Sequence, residues 1–123
     1  MHISLAESLK RLPRPATPKW PLGVFDIEAF RSGTMSLQLF APRGEDFQTP
    51  HEQDELYLVV AGSGTFRRGA TRFPFEPGDV LFVPAGEDHR FEVFTADFVT
   101  WVVFWGPAGG ESPSPVAGES DAA

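Results

Sequence analysis

The chain contains no cysteine. That excludes disulfides, thiolate zinc sites and cysteine nucleophiles, so any metal must be held by histidine, carboxylate or neutral oxygen. Positive charge is scarce: 10 Lys and Arg stand against 17 Asp and Glu, a net charge of −7 at pH 7. An acidic surface repels phosphate backbones and there is no basic run, so neither nucleic acid nor a membrane is an expected partner. Long apolar runs are missing too. The longest lies within residues 98–105, far short of the ~20 residues a membrane helix needs. Residues 1–5 have neither the basic nor the apolar stretch of a secretory signal, and a cytoplasmic location is expected.

What is present points to one small β domain. The 123 residues are 41% apolar, with 12 Phe against 2 Met, so the core is bulky and aromatic. Twelve glycines and 12 prolines favour many turns and few long helices. Ser4 and Glu7 form a capping-box pattern, and Leu5, Leu9 and Leu12 fall on one helical face, so a short helix is expected over residues 4–12. Pro13 and Pro15 end it, and residues 1–19 read as helix plus connector.

From Trp20 the period becomes two. Strands are expected near residues 25–29 and 34–41, the second with Met35, Leu37 and Leu39 on one face and Ser36 and Gln38 on the other. Residues 56–61 are apolar on both faces. Further strands are expected at 65–68 and 71–75 as a hairpin, then at 80–83, 89–94 and 98–105. In the strand at 89–94, alternation puts His89, Phe91 and Val93 on one inward face. Residues 20–106 therefore read as an all-β, antiparallel barrel or sandwich. Residues 107–123 lack aromatic and large aliphatic side chains and read as a flexible tail.

Three histidines occur. His2 sits at the chain end. His51 stands four residues before Glu55, and four residues of straight strand span ~13 Å, too far for two side chains on one ion. If both bind, the chain must turn at Glu52-Gln53-Asp54. A helix would also bring the two together, but Pro50 precedes and a β run follows. His89 follows a turn, an apolar strand and a Pro/Gly loop, which return the chain beside its starting edge.

These residues resemble the cupin family. Its first motif is G-x5-H-x-H-x3-4-E-x6-G, and His51, Glu55 and Gly62 match the second half. Its second motif is G-x5-P-x-G-x2-H-x3-N, and Gly78, Pro84, Gly86 and His89 match, with Val93 in place of the final Asn. Thr49 stands where the first motif has its first His, and the opening Gly is out of register. An alternative register makes His51 the first His, with Gln53 second and Tyr57 at the Glu position. Tyrosine is a poor replacement there, and Glu55 would have no role.

The resemblance implies an antiparallel β-barrel or jelly roll with a short N-terminal helix. It also implies one divalent metal ion (Fe, Mn, Ni or Zn) held by His51, Glu55 and His89. Thr49, Gln38, Gln53, Tyr57, Phe91 and Trp101 are expected around the ion or its pocket, although the aromatic residues equally suit a core. Two His and one carboxylate leave coordination positions open and suit oxygenase chemistry on a small-molecule substrate. A non-catalytic binder, a structural metal site and a sugar isomerase or epimerase are the alternatives. Leu56, Leu58 and Val60 face away from Glu55 yet are apolar, so a homodimer is expected.

Overall fold

The computed structural model describes residues 1–112. Its elements are α1 (Leu5–Leu9), β1 (Asp26–Ser32), β2 (Met35–Phe40), β3 (Asp54–Ala61), β4 (Gly64–Arg68), β5 (Thr71–Phe75), β6 (Val80–Val83), β7 (His89–Phe94) and β8 (Val99–Trp105). All strand pairs are antiparallel. One sheet has the order β1-β2-β8-β3-β6, the other β5-β4-β7. The two sheets are not hydrogen-bonded into one closed barrel.

Alternation along the strands builds two apolar layers. Tyr57 and Val59 of β3, Val102 and Phe104 of β8, and Phe40 of β2 meet Phe66, Phe75 and Phe91 of the smaller sheet. This is the inner core, stacked from phenylalanine edges and faces such as Phe91–Phe98 at 4.6 Å. The alternate residues Ile27, Leu39, Val99 and Trp101 lie on the other side of the larger sheet, beneath Leu5, Leu9 and Leu12. The N-terminal helix thus covers part of that outer face. It begins as its capping sequence requires, with the Glu7 backbone N–H donating to the Ser4 hydroxyl at 3.1 Å. Glu7 itself pairs with Lys10 rather than returning to the cap.

Three strands break parity, among them β3, whose register with β8 shifts between Val59 and Ala61. In β7, Phe66 pairs with Phe91 while the neighbouring Thr65 pairs with Val93, so Glu92 is an extra residue. The bulge turns Val93 out to 66% exposure, and Phe94 packs on the inner core instead. The inward position expected for Val93 is therefore corrected. A second bulge interrupts β1 between Glu28 and Phe30.

The first residues of the expected tail hydrogen-bond to the domain. The Gly109 N–H donates to the Glu52 carbonyl at 2.7 Å, and the Glu111 N–H to Asp54 Oδ2 at 3.0 Å. Residues 113–123 lie outside the described residues. Among those described, no helix is long and apolar enough to cross a membrane.

Candidate metal centre

Glu55 is the second residue of β3, and inward parity buries it to 1% exposure. His89 opens β7 and is equally buried. His51 lies before β3, where the bend at Glu52-Gln53 brings it back toward Glu55. Its backbone is fixed by the Gly86 N–H, which donates to the His51 carbonyl at 2.7 Å. Gly86 has φ +79°, a conformation that favours glycine, so this loop position ties the β6–β7 turn to His51.

The three side chains converge. Glu55 Oε1 lies 2.7 Å from His89 Nε2 and 3.2 Å from His51 Nδ1. One ligating atom from each residue falls within 4.8 Å of the others, close enough to hold one metal ion. The second carboxylate oxygen, Glu55 Oε2, is buried without a hydrogen-bond partner. A buried carboxylate oxygen is seldom left so, and a cation would satisfy it. His89 Nδ1 sits 2.9 Å from the Glu87 carbonyl oxygen. A carbonyl only accepts, so Nδ1 carries a proton and Nε2 faces Glu55, where it shares a second proton with the carboxylate or, once that proton is lost, offers its lone pair to an ion.

The electrostatics match this pairing. Burial pushes the Glu55 carboxyl up, but the two imidazoles outweigh it and hold it below its ordinary value. Burial pushes His89 down, but Glu55 outweighs it and holds the imidazole above its ordinary value. Burial, with Glu55 and Asp46 nearby, drives the Tyr57 hydroxyl well above its ordinary value, so it stays protonated.

Two cavities meet at His51, while Glu55 and His89, both buried, line neither. An inner one of about 120 Å³ is walled by Trp20, Phe40, Tyr57, Val102 and Phe104, with Gln38, Gln48 and His51. An open one of about 580 Å³ shares Gln38, His51 and Phe104 and is rimmed by Arg31, Thr34 and Gln53. His51 is thus reachable from outside, and the inner cavity beside it has aromatic walls.

Comparison with known proteins agrees with this geometry. The cupin domain family profile matches residues 36–105. The chain belongs to the cupin family. An uncharacterized protein of Streptomyces coelicolor is 36% identical over 83 residues, covering 66% of this cupin and 79% of that protein. The TT1209 structure from Thermus thermophilus has a TM-score of 0.61 at 24% identity, covering 90% of this chain and all of the other (100%). A cupin 2 conserved barrel domain protein of Salinispora arenicola has a TM-score of 0.56 at 20% identity, covering 66% and 74% of the two chains. At these identities the two solved structures are likenesses of fold.

The residues expected around the cupin site divide. Gln38 lines both cavities beside His51. Tyr57 places its hydroxyl 3.1 Å from His89 Nε2. Gln53 rims the open cavity, and its amide donates to the Thr34 and Gly106 carbonyls, tying strand ends together. Phe91 is inner core, packed edge-on against Tyr57 at 5.0 Å. Two placements are corrected. Thr49 is exposed, and its hydroxyl accepts from Lys19 Nζ at 3.0 Å, because residues 41–53 form no strand and the expected alternation does not hold there. Trp101 lies on the outer face under the N-terminal helix, because β8 alternates from Val102 and Phe104 inward. Sequence reasoning missed Asp46 and Gln48. Both are buried in the irregular segment before His51, where no period assigns a face; a pair of polar residues two apart was the available signal.

Proposed function

We propose that this cupin binds one first-row divalent ion through His51, Glu55 and His89 and acts as an oxygenase-type enzyme on a small molecule. The observation that carries the reading is the convergence of the three donors, with an orphaned Glu55 oxygen, next to two cavities that His51 lines. Two imidazoles and one carboxylate leave coordination positions open to substrate. When bound, such an ion supplies Lewis acidity and redox chemistry. The chain's own groups bind and orient. Phe104 and Phe40 offer apolar walls and Gln38 an amide, while Arg31 at the rim is already paired with Glu28 at 2.7 Å, so an anionic or enolic substrate would have to share that guanidinium.

The test is oxygen uptake by full-length protein supplied with Fe(II) and a panel of diols, enols and keto acids. Uptake by the wild type that is lost in His89→Ala is the expected result. Binding of panel compounds without uptake, with any of the four metals, selects the second reading, a non-catalytic small-molecule binder. One observation favours that reading: Glu55 and His89 line neither cavity, so a molecule held there need not reach the ion.

A further inference from the structure

Gln48 is a buried amide in a segment without regular structure, and its orientation is fixed from behind. Asp46, wholly buried, accepts from the Gln48 backbone N–H and from the Phe91 N–H, both at 3.0 Å, and from Gln48 Nε2. An ionised carboxylate only accepts, so the amide nitrogen must face Asp46 and the carbonyl oxygen must face the other way. That oxygen, Gln48 Oε1, lies 3.1 Å from His89 Nε2. The Tyr57 hydroxyl donates to it at 3.0 Å. Because Phe91 is two residues beyond His89 on β7, the Asp46 clamp also fixes Gln48 relative to the strand that carries His89.

The groups meeting at His89 Nε2 are short of hydrogens. Nδ1 of that ring faces the Glu87 carbonyl, and the Tyr57 proton is used on Gln48. What remains is the Nε2 lone pair with Glu55 Oε1 at 2.7 Å and Gln48 Oε1 at 3.1 Å, beside an unpartnered Glu55 Oε2. A proton on Nε2 serves Glu55 Oε1 and at best shares Gln48 Oε1, and it leaves Glu55 Oε2 unpartnered. A cation attracts all of them at once.

We infer that Gln48 is a fourth protein donor at this centre, offering its amide oxygen to the ion while Asp46 holds the amide in the required orientation and Tyr57 fixes its second lone pair. The inference rests on the metal site proposed above. It assigns a neutral oxygen to the position that Thr49 does not fill, and it makes Asp46 a positioning residue.

The experiment uses Co(II) on the full chain, with affinity measured against a competing chelator and coordination read from the ligand-field absorption bands. Gln48→Met keeps the length and removes the oxygen. It is expected to weaken Co(II) binding by about 10-fold or more and to change the bands. Asp46→Asn is expected to weaken binding less, through the freed amide. Unchanged affinity in folded Gln48→Met overturns the inference. So does weakened affinity with wild-type bands, because then Gln48 acts on packing alone. If Gln48→Met does not fold, the wild type decides: Zn(II) titration should shift the Gln48 side-chain carbonyl carbon resonance in step with site filling, and an unmoved resonance overturns the inference. Wild-type Co(II) binding in His89→Ala would instead bring down the metal reading itself, a separable result.

Discussion

The two faces of the five-stranded sheet carry opposite chemistry. The inner face presents Gln38, Glu55, Tyr57 and Phe104 to the site, so it mixes buried polar groups with aromatics. The outer face is nearly all apolar, with Leu39, Val99 and Trp101 under the helix and Leu58, Val80 and Phe82 left 36%, 56% and 43% exposed. Hydrophobic alternation alone would assign the site to the wrong side. The polar residues that alternation usually sends to water here turn inward to the candidate site.

The comparison is broken most severely by disturbing the inner face. In metal-free protein His89→Ala should destabilise by about 3 kcal/mol, since it leaves the Glu55 carboxylate buried without its closest partner. Chemical denaturation of chelator-treated chain measures this. Loss of less than about 1 kcal/mol would mean that the inner face does not depend on that pair.

Disturbing the outer face should be milder and should spare the site. Trp101→Ala removes a ring packed on the outer cluster of Ile27, Leu39, Ala41 and Val99 and should lower stability by about 2 kcal/mol, with metal affinity unchanged. Weakened metal binding in that variant would show that the two faces are coupled.

The inner pair also sets a pH window. Glu55 is held below its ordinary value of 4.5, so its contribution is complete above that pH and is lost as pH falls through the lowered value. His89 is held above its ordinary value of 6.5, so its contribution is complete below that pH and is lost as pH rises through the raised value. Metal-free wild type should therefore exceed Glu55→Gln in stability by the largest margin between these two ordinary values. A pH-independent difference would contradict the pairing.

The exposed part of the outer face gives the smallest effect on the single chain. Leu56 pairs with Phe82 and Leu58 with Val80, so these side chains form one patch at the sheet edge. We propose that a second copy covers it. Light scattering at micromolar concentration should give a dimer for the wild type and a monomer for Phe82→Glu; a monomeric wild type would refute this.

How much of this was legible depends on local regularity. The second motif could be read from the sequence because Gly78, Pro84 and Gly86 are turn-formers around a short strand, and His89 then falls where the pattern puts it. The segment 41–53 has no strand, so matching the first motif placed Thr49 at the site and overlooked Gln48, the residue that the Asp46 clamp turns inward. Trp101 was ambiguous for another reason. β8 is apolar on both faces, and only the position of the N-terminal helix decides which face is outer. Val93 followed its alternation until the bulge at Glu92, which a single sequence does not announce.

The most direct measurement is element analysis of full-length protein purified without a metal-affinity tag and then equilibrated with Mn, Fe, Ni and Zn, beside Glu55→Ala and His89→Ala. The account predicts close to one first-row divalent ion per wild-type chain, and in each variant an affinity lower by at least about 100-fold, beyond what the loss of an outer partner causes. A wild type that binds none of the four metals, or variants that bind as well as it does, would contradict it.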